Sequence, residues 1–158
     1  MKKRLSLIQM DVHVNEVEYN YVRVQELLSQ ALSEKPDIIV LPETWNTGFH
    51  PSTDLINISD RNGERTKALL STFAKEHNVN IVGGSVAVAK EDLVFNTSYA
   101  YNREGTLVGE YSKMHGFSPA KEDQYFASGT HTTHFELDGI PCSTVICYDI
   151  RFPELVRI

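Results

Sequence analysis

Near the start of the chain, "RLSLIQMDV" is a short apolar run that breaks at Gln9 and Asp11, and it reads as a first strand. Behind it Val17, Tyr21, Val24, Leu28 and Ala31 recur at spacings of four and three, which gathers them on one face of an amphipathic helix. Pro36 ends that helix. "DIIVLPE" is almost continuously apolar, as a strand covered on both faces requires. Pro42 and the Thr, Asn and Gly that follow make a loop, so Glu43 falls where a strand meets a loop. A second helix fits "NGERTKALLSTFAKEHN", with Leu69, Leu70 and Phe73 on one side, and leads into the valine-rich strand "VNIVGGSVAVA".

Strand, helix, strand, helix, strand is the rhythm of a parallel sheet. The rhythm then changes. "LVFNTSYAYN" and "TLVGEYSKM" flank the turn "NREG" as one hairpin, and "HTTHFEL" and "IPCSTVICY" flank "DG" as a second. The expected fold is therefore α/β with a mixed sheet. With no internal repeat, linker or low-complexity stretch, residues 1–158 read as a single domain.

At 158 residues, 41% hydrophobic and 23% charged, the chain is long enough to bury about two-thirds of its surface. Its formal charge of -6 is spread without a basic stripe, which argues against nucleic acid as a partner. Nothing in it reads as membrane-spanning, and the charged start "MKKR" precedes an apolar run too short for a signal peptide. Cys142 and Cys147 are too few for a disulfide framework, so a reducing cytoplasmic setting is expected.

Glu43, Lys113 and Cys147 each fall at or just past the end of an expected strand, where open α/β sheets place their ligand sites. Singly they have plain readings: a carboxylate bound to loop amides, a solvated lysine, a small buried hydrophobe. Together they supply what amide hydrolysis needs. A carboxylate can take the thiol proton and return it to the leaving amine, and a cation can lower the thiol pKa. The same lysine, with a backbone N–H, can hold the oxyanion that forms when the thiolate attacks a carbonyl.

"VLPETWNTGF", "YSKMHGF" and "VICYDIRFPEL" closely resemble, in order, the three signature segments of the nitrilase superfamily, the carbon–nitrogen hydrolases. The resemblance implies that Cys147 is the nucleophile, Glu43 the general base and acid, and Lys113 the stabiliser of the tetrahedral intermediate, with the Tyr148 N–H as second oxyanion donor. It also implies a second glutamate, Glu122 in "EDQYFASG" with Phe126 and Gly129 behind it, holding Lys113 and orienting substrate; the alternative is a solvated loop. "CYDIRFPEL" is most similar to the ω-amidase branch, which acts on monoamides of short dicarboxylic acids, with ureido-acid hydrolases as the alternative and nitriles less favoured. Arg151 either binds the substrate carboxylate or forms a structural ion pair. His115 is read as a pocket-wall or structural residue that could touch substrate. Trp45 is expected to anchor the loop after Glu43, with Gly48 and Phe49 shaping the wall. No cofactor is implied, the partners are a small amide and further copies of the chain in a homodimer or larger homo-oligomer, and the implied fold is a four-layer α-β-β-α sandwich. Family members continue well past the cysteine segment whereas this sequence stops at Ile158, so a C-terminal part of that sandwich is expected to be missing.

Two readings from other classes compete. His131, His134, Cys142 and Cys147 include zinc-ligand types, but their spacing on strands would aim each pair at opposite faces, so no metal is expected. An inactive chain could serve as a partner-binding module. Cys142 is expected to be a packing residue, the internal control for Cys147.

Overall fold

The computed structural model describes residues 2–49 and 54–157. Nine strands are described: β1 Leu5–Leu7, β2 Ile38–Val40, β3 Asp60–Arg61, β4 Asn80–Val82, β5 Val86–Lys90, β6 Leu93–Tyr101, β7 Leu107–Ser112, β8 His134–Leu137 and β9 Ile140–Ser143. Helices α1 (Val17–Ala31), α2 (Leu55–Ile58), α3 (Glu64–His77) and α4 (Pro153–Arg157) lie between or after them. Both long helices follow the apolar spacing of the sequence. Asn78 closes α3 in a left-handed conformation, while α1 runs into a 3-10 turn that ends on a left-handed Lys35 just before Pro36.

β1, β2 and β4 pair in parallel, and β6 runs antiparallel to its neighbours, so the sheet is mixed as expected. The expected strand "VNIVGGSVAVA" is instead two strands along one edge of β6, with β4 opposite Ala100–Tyr101 and β5 opposite Leu93–Thr97. The interruption falls at residues 83–85, and Gly84 shows why. Its φ is +58°, and a Cβ there would stand 2.0 Å from the Pro42 carbonyl oxygen. The loop after β2 enters this gap and is fastened to it: Ser85 N–H donates to Pro42 O at 3.0 Å, and Trp45 N–H to Ser85 O at 3.1 Å. The break in the strand is thus the seat of the segment that carries Glu43.

Tyr21, Val24 and Leu28 of α1 and Leu70, Phe73 and Ala74 of α3 bury one face of the sheet with Ile39, Ile81, Val86, Val88, Tyr99 and Tyr101. Strand alternation puts Leu5, Leu7, Ile38, Val40 and Val82 on the other face, where Leu5 is 54% and Leu7 70% exposed. Of the implied four layers, the described residues form one helical layer and one large sheet, with the β8–β9 hairpin beside it. Asp138 and Gly139 turn that hairpin, both with positive φ, as a two-residue turn between right-twisted strands requires. Asp138 is also gripped by Arg103 and Lys3, and Arg103 reaches Asp37 at 3.0 Å.

The second hairpin is shorter than expected. "IPCSTVICY" was expected to stay extended to Tyr148, yet β9 stops at Ser143 and a 3-10 turn begins at Cys147 and runs to Arg151. β8 begins at His134, opposite Ser143, so β9 has no partner beyond that pair, and the φ of +48° at Cys147 then starts the turn. His131 likewise lies before β8, so the two histidines do not share a strand. Among the described residues no cluster of histidine, cysteine and carboxylates fit for a metal is found, and no helix is long and apolar enough to cross a membrane.

Candidate active site

Four segments distant in sequence meet at one place. Glu43 arrives on the loop seated in the β4–β5 gap, Lys113 follows β7, Glu122 sits in a 3-10 turn (Glu122–Gln124), and Cys147 opens the turn after β9. Lys113 is 3% exposed. Its Nζ donates to Glu122 Oε1 and Oε2 at 2.9 and 2.8 Å and to Glu43 Oε1 at 2.9 Å, so its three N–H bonds face three carboxylate oxygens. Burial disfavours its charge, but the bonds to Glu122 and Glu43 outweigh that and hold the ammonium above its ordinary range. The plain reading of Lys113 as a solvated surface lysine is therefore excluded by its burial, and so is that of Glu122 as a solvated loop residue.

Glu122 is fixed twice more. The Phe117 N–H donates to its Oε2 at 2.7 Å, and Phe126 packs into a small apolar cluster with Leu55, Ala87 and Val94, pinning the segment behind it. Gly129 closes the same segment onto Lys113, its N–H donating to the Lys113 carbonyl at 2.8 Å. Trp45 anchors its loop as expected, fully buried with Nε1 donating to Gly83 O at 2.9 Å. Phe49 lies with its ring 5.8 Å from Lys113 Nζ.

Cys147 is exposed at the mouth of this cluster and Cys142 is half-buried on the hairpin. Burial pushes the Cys147 thiol above its ordinary range, and the Glu43 charge and hydrogen bond add to that, while Lys113 pulls the other way. The cation does lower the thiol pKa as expected, but burial first and the Glu43 charge second outweigh it. The shift favours the neutral thiol beside the Glu43 carboxylate over the thiolate. Such a pair can transfer its proton when an electrophile arrives.

His115 is not a partner of the thiol, on which Glu43, Lys113 and Glu122 act. Its Nδ1 lies 2.8 Å from Asp149 Oδ1 and its ring stacks on Phe152 at 3.7 Å, so it braces the turn. Tyr148 packs edge-on against Phe117 and Phe152. Arg151 ends the turn exposed, and among the described residues no ion pair ties it to the cluster.

Two residues here were not singled out from the sequence. Asp149, fully buried, accepts from Tyr111 Oη at 2.7 Å, the His115 N–H at 2.9 Å and the Ile146 N–H at 3.1 Å, which ties the cysteine turn to β7 and to the loop after Lys113. Asn96 of β6, also buried, donates from Nδ2 to Glu43 Oε1 at 2.9 Å and Glu122 Oε1 at 3.3 Å. Its sequence signal is a polar residue at an inward position of a largely apolar strand, which burial makes costly unless it is bonded.

A mixed sheet beside which a glutamate, a buried lysine, a second glutamate and an exposed cysteine gather in that chain order defines the class, and the chain belongs to the carbon-nitrogen hydrolase family, whose pattern matches residues 4–158. It is 40% identical over 157 residues to a 2-oxoglutaramate amidase of Bacillus subtilis (strain 168), covering 99% of this chain and 60% of that protein. It is 31% identical to omega-amidase NIT2 of Danio rerio, over 99% of this chain and 58% of that one. A CN-hydrolase superfamily protein from Xanthomonas campestris, solved with an arsenic adduct in its active site, superposes with a TM-score of 0.85 at 30% identity, covering 96% of this chain and 56% of the other. The chain thus spans about three-fifths of the length of the curated relatives it matches.

Proposed function

We propose that this chain carries the catalytic residues of an amidase that hydrolyses the terminal amide of a short dicarboxylic acid monoamide, or its keto analogue, through a cysteine thioester. The observation that carries the reading is the Lys113 ammonium held between Glu43 and Glu122, with the Glu43 charge also acting on the Cys147 thiol. The relatives named as 2-oxoglutaramate amidase and omega-amidase support the amide class and the dicarboxylic acid.

The steps follow from the geometry. As Cys147 Sγ attacks the amide carbon, its proton passes to Glu43, a C–S bond forms and the carbonyl oxygen becomes an oxyanion. Protonating Glu43 weakens its hold on Lys113, which frees an ammonium N–H to turn to the new anion; the Tyr148 N–H is assigned as the second donor. Glu43 then gives the proton to the amide nitrogen, the C–N bond breaks, and ammonia leaves a thioester. Water attacks that thioester as Glu43 takes its proton, the C–S bond breaks, and the acid and thiol are restored. Glu122 keeps Lys113 in place throughout. Arg151 at the exposed end of the turn is assigned to the distal carboxylate of the substrate, and His115 to bracing.

Ammonia release from succinamate tests the reading. The expected result is release that Cys147→Ala abolishes and that excess succinamate protects from alkylation at Cys147 in the native chain. A folded chain that releases no ammonia from succinamate or its keto analogue, and whose Cys147 alkylates no faster than Cys142 with or without ligand, would overturn it.

A further inference from the structure

The cluster around Lys113 is short of positive charge. Two carboxylates, Glu43 and Glu122, face one ammonium, and like charges held together in a buried site repel unless further donors face them both. Asn96 is placed to do that. Its Nδ2 carries two hydrogens, and its two contacts are the same two carboxylates that Lys113 bridges. Its backbone is tied in as well, since the Lys113 N–H donates to the Asn96 carbonyl at 2.9 Å.

The other end of the side chain makes an independent point. Asn96 Oδ1 is buried and has no hydrogen-bond partner among the described residues. Turning the amide over would aim that oxygen at two carboxylates, so the nitrogen must face them and the oxygen is left unsatisfied, at a cost an apolar residue would avoid. A side chain kept for packing alone has no reason to bear this. A lysine in its place would overcharge the site and weaken Glu43 as a base.

We propose that Asn96 is a positioning residue of this centre: a neutral second bridge, beside Lys113, that holds the Glu43 and Glu122 carboxylates together and fixes Glu43 beside Cys147. This rests on the reading of Glu43 as the base. The groups facing Glu43 are Lys113 after β7, Glu122 in its 3-10 turn, the Cys147 thiol and the Asn96 amide itself.

The test is the pH profile of Cys147 alkylation by iodoacetamide, followed by intact mass, in the native chain and in Asn96→Asp, Asn96→Ala and Glu43→Gln, each checked for folding by circular dichroism. In the native chain the rate at Cys147 should rise as the thiol, held above its ordinary range by burial and by the Glu43 charge, loses its proton. Asn96→Asp sets a third carboxylate against the pair and should move that rise upward by about one pH unit, which slows labelling about fivefold at the native midpoint and about tenfold well below it. Asn96→Ala removes two bonds without adding charge, so it should move the rise in the same direction by less, and it carries the comparison if the aspartate variant unfolds. Folded Asn96 variants with an unmoved midpoint and only a lower rate would show a structural role and overturn the proposal. A profile that Glu43→Gln leaves unchanged would instead overturn the reading of Glu43, and the proposal with it.

Discussion

Glu43 acts on Cys147 in two opposed ways: in the proposed reaction it removes the thiol proton, and its charge makes that proton harder to lose. Glu43→Gln separates the two effects. It removes the negative charge but leaves Lys113 beside the sulfur, so the thiol pKa should fall relative to the native chain, as read by thiolate ultraviolet absorbance. Turnover should nevertheless drop roughly 10²–10⁴-fold, the share a positioned base supplies. A variant with a lower thiol pKa and undiminished turnover would mean that the thiolate alone drives the reaction. Asp149 works by another route. Its grip on Ile146 and His115 lets a non-glycine residue sit at positive φ at Cys147, a conformation that persists only when its surroundings fix it.

At the scale of elements, the hairpin turn at Asp138 is held from outside rather than by its own strands. Arg103 and Lys3 hold the Asp138 carboxyl well below the usual carboxylate range. A carboxyl with a depressed folded pKa stabilises the fold above its unfolded value of about 3.9, and that contribution is lost as pH falls through the folded value. Arg103→Ala should therefore lower stability by about 1–2 kcal/mol near neutral pH, a difference that shrinks on acidification, as followed by urea unfolding. A deficit independent of pH would point to lost packing of the arginine stem instead.

Much of this level was legible in the sequence. The spacing of Val17 to Ala31, the Asp-Gly turn and the change from helical to hairpin rhythm all act locally, within a few residues. What the sequence did not reveal depends on segments far apart in the chain. The interruption of "VNIVGGSVAVA" is set by a loop some forty residues earlier in sequence, seated against Ser85. The end of β9 is set by where β8 begins, and Asn96 matters only because Glu43 and Glu122 come to it. The site residues were found through motifs, whereas their mutual distances, and the sign of the thiol shift, came only with the fold.

On the scale of the molecule the sheet has two unequal faces. The helical side buries Leu28, Leu70 and Ile81 completely, while Leu5 and Leu7 on the other side stand open. Thermal unfolding should record the difference. Leu28→Ala should cost about 2–5 kcal/mol, because it leaves a cavity in a packed core. Leu7→Thr should stay within about 0.5 kcal/mol, the usual scale for a surface change. A large loss at Leu7 would mean that this face is covered in solution.

The reach of the bonds at Lys113 has a consequence for synthesis. Glu43 and Lys113 are 70 positions apart, Asn96 and Glu43 are 53 apart, and Cys147 follows them all. As the chain leaves the ribosome Glu43 emerges first and Cys147 last, by which time the seat between β4 and β5, the amide of Asn96 and the ammonium are already outside. The sulfur is therefore delivered to groups that can be waiting for it. A nascent chain halted before that point carries every charged member of the centre and lacks its thiol.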